Sequence, residues 1–460
     1  MRFVSSASIE AREREWHSQG LPGSGPHSQM RKALLILPGV VLGLNSAVPA
    51  RAQRTDGFQL TSPLSLSAGY DENFAVGSQT LSDTVTLLTL PTLSWTRNTH
   101  RTNFSIDYQP EFELFSQHQD LNAWDHSATL RFTQRINGRL TLEAGDSFLS
   151  TMDPSRQLVD SLLLLPRGRF QQNVFYTGLG YRLDRRTTLS VRFDTAIVTM
   201  ALPGPFAGKL DQMSGAGTVT LERTVNRHHA LSGSYSYLIV RPFNAGTAGI
   251  TSGVHNFNLG YTYTINPGLI FRFSGGAIRG QQSNFTGAAT VEKRLGGLWV
   301  AGGFERYLSF FGGLAPNGAA PGVIPFANGL APSDVYQVAS LRAWGQLTRK
   351  LRLEGSALRA LNGVTPQDRA IKSVIGQLRL DYKLNERLSF FTSVAIYSEN
   401  VNEFSQLPLS RRCYFGGLEI ALSRPREPAH SAHEPEGGTT DSATDSVEFQ
   451  GDESHPQEER

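Results

Sequence analysis

Residues 103–115 alternate without a break. Phe104, Ile106, Tyr108, Pro110, Phe112 and Leu114 fall on one side of an extended chain, and Asn103, Ser105, Asp107, Gln109, Glu111 and Glu113 on the other. A period of two over this length excludes a helix, where like side chains recur at three and four. The apolar face needs lipid or a core, and the polar face needs water. The same pattern returns in 188–197, 256–263 and 377–384. Each run is close to the roughly 9–11 residues with which a tilted strand crosses a membrane.

The connections between such runs alternate in length. Short turns are expected near Arg97-Asn98, Asn137-Gly138, Asp184-Arg185-Arg186, Asn226-Arg227, Asn266-Pro267-Gly268, Gly296-Gly297, Arg349-Lys350 and Asn385-Glu386, with Asn-Gly and Asn-Pro-Gly the plainest turn formers. Longer polar or Gly/Pro-rich links fall at 71–82, 117–122, 151–169, 201–212, 242–252, 280–284, 311–333, 362–368 and 399–411. A soluble sandwich or propeller has no reason to alternate in this way. The pattern predicts an all-β fold: a transmembrane antiparallel up-and-down barrel of about eighteen strands over residues 53–423, with short periplasmic turns, long extracellular loops and both ends in the periplasm. Tyr108, Phe115, Trp124, Tyr181, Tyr235, Tyr261, Tyr263, Tyr382 and Tyr397 lie near expected strand ends, where aromatic girdles form.

Composition agrees. Only 18% of residues are charged, and a mean hydropathy of -0.26 suits strands of which half of each faces a polar lumen. The single cysteine, Cys413, excludes an internal disulfide framework. A net charge of +3, with basic residues scattered among strand ends and turns, implies no nucleic-acid partner.

The one continuous apolar run, 33–44, follows Met30-Arg31-Lys32 and leads to Ala50-Arg51-Ala52. This is the plan of a secretory signal peptide over 30–52, with cleavage expected before Gln53. The run is shorter than the roughly 20 residues of a membrane-spanning helix, and Pro38, Gly39, Asn45 and Pro49 interrupt it. Residues 1–29 are expected to be an upstream extension, untranslated or disordered, with Met30 as the start. No cysteine follows the cleavage site to carry a lipid anchor. Residues 424–460, rich in Glu, Asp, Ser, His and Pro, are expected to be a disordered acidic tail in which His430, His433 and His455 are solvated rather than metal ligands. No metal and no cofactor is expected.

At the last expected strand, Gly416, Gly417, Ile420 and Leu422 match in order the terminal-strand pattern of bacterial outer-membrane β-barrel proteins, which this chain resembles. The resemblance implies a bacterial outer-membrane location, contact with outer-membrane lipid, and insertion by the barrel-assembly machinery through Gly417, Ile420 and Leu422. The tail departs from that pattern, which ends on a C-terminal aromatic residue. A second resemblance, to porin-like barrels associated with exopolysaccharide export systems, rests on Gly69-Tyr70-Asp71-Glu72-Asn73.

A barrel of this size encloses an aqueous lumen unless something fills it. The inward-facing candidates, and hence the expected pore lining, are Asp107, Glu111, Glu113, Arg192, Asp194, Arg342, Arg352, Glu354, Arg379 and Asp381, beside Arg131, Arg135, Glu143, Glu222, Arg272 and Glu419. Arg342, Arg352 and Arg379 form an anion-favouring patch, unless Glu354 and Asp381 neutralise it, which is the preferred reading. The link 152–169 contains Leu162 to Leu165, too apolar to hang in water. Either it tucks into the lumen and narrows the pore, as in the general porins that the chain resembles, or it caps the surface. The Gly-, Ala- and Pro-rich link 311–333 reads as a mobile external loop. His126 and His255 lack any nucleophile signature beside them, so no enzyme is expected. Three functions stay open: a porin-like pore for small or polymeric solutes, an accessory or conduit in polysaccharide export, and a structural or adhesive barrel with a filled lumen. Small residues on expected outer faces, Gly275, Ala277, Gly287 and Ala289, are compatible with a homo-oligomer.

Overall fold

The computed structural model describes residues 57–74, 81–157, 167–202, 208–242, 252–280, 283–309, 334–362, 371–401 and 409–422. The expected signal peptide, upstream extension and acidic tail, Leu162 to Leu165 and the 311–333 link lie outside the described residues. The strands are β1 (Gly57–Leu60), β2 (Leu64–Glu72), β3 (Asp83–Thr89), β4 (Leu93–Asn98), β5 (Thr102–Phe115), β6 (Ala123–Arg135), β7 (Leu140–Thr151), β8 (Phe170–Arg182), β9 (Thr187–Leu202) and β10 (Gly208–Asn226). They continue as β11 (His229–Pro242), β12 (Ser252–Asn266), β13 (Leu269–Arg279), β14 (Ser283–Leu295), β15 (Leu298–Ser309), β16 (Asp334–Gln346), β17 (Leu351–Asn362), β18 (Ile371–Lys383), β19 (Leu388–Val401) and β20 (Leu409–Ile420).

Each strand from β5 onward pairs antiparallel with the next, and β20 closes on β2 from Leu64↔Ile420 to Glu72↔Arg412. The twenty segments make an eighteen-stranded closed barrel, because β1 continues β2 and β3 continues β4. β3 and β4 both pair with β5, and β1 pairs with β4 as β2 pairs with β3. The breaks coincide with Pro63 and Pro91 on adjacent strands, where proline has no N–H for the ladder. The flanking groups are satisfied locally: Thr61 N–H donates to Thr92 O at 3.1 Å, and Thr92 N–H to Ser62 Oγ at 2.7 Å.

Register fixes which side chains face in. Paired residues share a face, so Asp107, Thr129 and Ser147 point one way and Tyr108, Ala128 and Phe148 the other. The outer wall carries Phe193 (58% exposed), Leu259 (73%) and Phe285 (60%) with many smaller apolar neighbours. An apolar wall of this extent belongs in lipid. The short turns and both ends of the barrel chain lie at one end of the barrel and the long links at the other, so the protein is a transmembrane barrel of the bacterial outer membrane with its long links outside.

Three sequence expectations need adjustment. The first short turn lies at Thr99-His100-Arg101 rather than at Arg97-Asn98, because the Thr99 hydroxyl accepts the Thr102 N–H at 2.9 Å and serves as the turn former. The link expected over 201–212 shrinks: β9 runs to Leu202 and β10 begins at Gly208, the two pairing as far as Gly208↔Leu202. Phe115 and Tyr397 are not girdle residues. Both face inward and are buried (3% and 4% exposed), whereas Trp124, Tyr181, Tyr235, Tyr261 and Tyr382 face outward.

Candidate functional site in the barrel lumen

The lumen has two unlike halves. Near the short-turn end its wall is polar and open. Arg131, Thr133 and Arg135 are exposed toward the interior, as are Arg352 and Glu354. The ten residues expected to line a pore, Asp107, Glu111, Glu113, Arg192, Asp194, Arg342, Arg352, Glu354, Arg379 and Asp381, all stand on the inner face. The structure groups most of them into ion pairs. Arg192 meets Asp194 at 2.8 Å and lies over the Tyr176 ring at 4.3 Å. Arg379 is held by Asp381 at 2.8 Å and Glu419 at 2.5 Å, and Arg272 by Glu292 at 2.5 Å. Arg352 approaches Glu354 only to 3.7 Å, with both side chains half exposed. The arginines of β16, β17 and β18 therefore do not form a free anionic-solute patch: Arg379 is neutralised outright and Arg352 loosely.

Toward the long-link end the inner wall is buried. An apolar layer of Val85, Phe115, Tyr336, Leu358, Ile375 and Phe415 packs with Phe74 from the β2–β3 corner. A second inward group, Ala196, Leu238, Val240, Val254 and Ile278, is equally buried. Inward side chains that no water reaches mean a filled lumen at this level.

Within the filled half lies the densest charge cluster of the described residues. Residues 152–157 leave β7, turn inward through a single helical turn (Pro154–Gln157), and 167–169 return to β8. Asp153 sits at the N-cap with Pro154 in the first helical position, and its carboxylate accepts the Arg156 N–H at 3.3 Å. Asp125 on β6 anchors the departure, accepting from the Thr151 hydroxyl at 2.7 Å and the Met152 N–H at 3.1 Å. Arg156 then reaches β5, donating to Glu113 at 2.7 Å and Glu111 at 3.1 Å. Arg167 donates to Glu113 at 2.6 Å and to Leu121 O at 2.8 Å, its guanidinium over the Phe115 ring. On β20, separated from β7 along the wall by β2, β3, β5 and β6, Arg411 joins wall to link: Nε donates to Asp71 Oδ1 at 2.9 Å and Nη1 to Asp153 Oδ1 at 2.8 Å, with Nη2 shared between the second oxygens of both. Arg411 and Asp153 are buried (1% and 0% exposed). Burial alone would raise the Asp153 carboxyl, but Arg411, with Arg156 and Arg167 behind it, holds it well below the usual carboxylate range.

Sequence reasoning found Glu111 and Glu113 through their parity and missed Asp71, Asp125, Asp153, Arg156, Arg167 and Arg411. Asp125 carried the same parity signal on β6. Asp71 and Asn73 lay in the Gly-Tyr-Asp-Glu-Asn motif, which here has a structural use: Asp71 binds Arg411, while Asn73 adopts φ 59° and donates from Nδ2 to Ser410 O at 2.6 Å. Of the 152–169 link, residues 152–157 turn inward and Arg167 reaches Glu113, while Leu162 to Leu165 lie outside the described residues. His126 and His255 stand on the outer wall, each sharing an Nδ1 hydrogen bond with a tyrosine hydroxyl, Tyr108 and Tyr235, at 2.9 Å. Gly417 faces the lumen at the closing seam, where a Cβ would meet Ser67 Cβ at 2.6 Å; Ile420 and Leu422 are exposed (43% and 40%).

No protein-family model matches the chain, and no curated protein matches it. Solved structures that match include the FrpB iron transporter from Neisseria meningitidis, at 9% identity and a TM-score of 0.45, covering 79% of this chain and 82% of that one. A ferric enterobactin receptor mutant from Pseudomonas aeruginosa matches at 10% identity and a TM-score of 0.42, covering 81% and 74%. The ferric-catecholate import receptor Fiu from E. coli K12 matches at 10% and 0.41, covering 81% and 82%. The likeness is one of barrel to barrel at low identity.

Proposed function

We propose that the protein is an outer-membrane pore held shut at its external half by the root of the 152–169 link, and that it passes solute when that root is released. The observation that carries this reading is Arg411, buried and shared between Asp71 of the wall and Asp153 of the link. A permanently filled structural barrel has no need of charge to hold its filling, since apolar packing costs less to build than buried ion pairs. A latch made of ion pairs has two arrangements, and solute or partner binding can select between them. The open half, with its paired charges of both signs, favours neutral or zwitterionic polar solutes, small or polymeric, over strongly charged ones. The protein carries out no chemistry on its cargo. A leader over 30–52 exports it, and Gly417, Ile420 and Leu422 present the terminal strand to the assembly machinery.

The test is single-channel recording of the refolded protein, residues 53–460, in a planar bilayer. The wild type is expected to be closed for most of the record, with brief openings. Asp153→Asn, which weakens the hold of Arg411 while leaving the wall intact, is expected to raise the open fraction on the order of tenfold. A heat-modifiable barrel that conducts in neither form overturns the reading and leaves the structural barrel.

A further inference from the structure

The outer wall over β18–β20 holds a groove of about 330 Å³, lined by Leu378, Leu380, Thr392, Val394, Tyr414 and Gly416. It opens where Gly416 takes an outward position beside larger apolar residues. In one lateral row Leu378 pairs with Val394, and Val394 with Tyr414; in the next, toward the short turns, Leu380 pairs with Thr392, and Thr392 with Gly416. A Cβ on Gly416 would meet its nearest atom at 3.8 Å.

Directly above the groove, toward the external surface, three cations face outward. Arg412 stands one pleat above Tyr414, Arg359 pairs with Val374 one pleat higher, and Lys372 lies one pleat higher again, each pleat being about 7 Å. Arg412 has only Glu72 at 3.7 Å, both side chains about half exposed. Among the described residues Arg359 and Lys372 have no carboxylate partner. The distribution is one-sided: at this end β3 to β9 present no lysine or arginine outward, whereas Arg241, Arg279 and Arg306 continue the basic rim along β11, β13 and β15. Unpaired cations on a lipid-facing wall are costly unless the lipid supplies the counter-charge.

We infer that this face is a binding site for a phosphorylated, acylated lipid of the external leaflet, one acyl chain lying in the groove and the phosphate among Arg412, Arg359 and Lys372. Snorkelling of isolated cations explains charge at a rim but not the groove beneath it. The site is independent of the lumen.

Native mass spectrometry of the refolded barrel in neutral detergent tests it, with dioleoyl phosphatidate and dioleoyl phosphatidylcholine as probes sharing the same chains. The wild type is expected to retain phosphatidate about tenfold better than phosphatidylcholine. Gly416→Leu, which fills the groove from one of its own lining positions, should abolish retention of both lipids. Arg412→Gln with Lys372→Gln should keep retention and lose the preference. Gly275→Leu, an outward glycine with open surroundings on β13, is the control, and both glycine variants are compared with the wild type once heat-modifiability confirms folding. Equal retention of the two lipids by the wild type, or unchanged retention by Gly416→Leu, overturns the inference.

Discussion

Arg411 is the largest fully buried side chain among the described residues, and it is charged. Removing a partner from a buried ion pair leaves an uncompensated charge, at a cost of about 3–5 kcal/mol, whereas removing both charges is far milder. Arg411→Gln is therefore expected to lower the heat-modification midpoint in detergent clearly, by stranding Asp71 and Asp153. Adding both Asp71→Asn and Asp153→Asn to that variant should recover much of the loss. A triple variant as unstable as the single one would show that the cluster is not coupled in this way. The direction of the Asp153 shift gives a second expectation. A carboxyl depressed in the folded state contributes stability above its unfolded value, and that contribution is lost only as pH falls through the folded value. The latch should thus hold unchanged from about pH 7.5 down to about pH 4.5, below which an ordinary carboxylate would be protonating. A rise in open fraction over that interval, recorded in bilayers stepped from neutral to acid, would mean that Asp153 is not the group holding the link.

Among the elements, β2 and β20 carry the most demanding register, because they close the cylinder across the whole chain. Gly69 sits at this seam, where a Cβ would meet Tyr414 O at 2.0 Å and the Phe415 ring at 2.5 Å. Gly69→Ala is expected to destabilise by about 1–3 kcal/mol through overpacking and to lower refolding yield, while Gly180→Ala, whose Cβ meets nothing, should leave both unchanged. Equal yields on heat-modifiability gels would show that the seam has room to spread. The strands themselves were legible in the sequence because lipid outside and polar groups inside impose opposite demands on successive residues, as in β5. The seam, the proline breaks and the latch were not. Period two says which face a residue takes but not which residue stands opposite it, so Arg411 and Asp153, 258 positions apart, gave no joint signal. Phe115 was misplaced for a different reason: its parity with Glu111 and Glu113 already set it on the inner face, but an aromatic at a strand end was read as girdle because nothing in the alternation says that the lumen is filled there.

For the molecule as a whole, the contrast between an open periplasmic half and a filled external half makes the barrel asymmetric along its axis, and Cys413 offers a native probe of that asymmetry. It is the one cysteine, faces the lumen beside Arg411, lies within hydrogen-bonding distance of Asp71 at 3.3 Å, and is 5% exposed. A hydrophilic thiol reagent can reach it only when the apolar layer and the latch part together. Opening is then read as a labelling rate, because modification follows the population of the open form when closing outpaces reaction. In folded wild-type protein, labelling from either side is expected to be slow compared with the unfolded chain. Asp153→Asn, which loosens the link without altering the cysteine's own strand, should accelerate labelling on the order of tenfold, in step with its open fraction in bilayers. If the variant conducts more while Cys413 stays protected, the conduction path bypasses β20 and the latch is only a local clasp. If Cys413 labels rapidly in the wild type, the external half is not shut, and the ion pairs of the open half become the narrowest charged level that a solute meets.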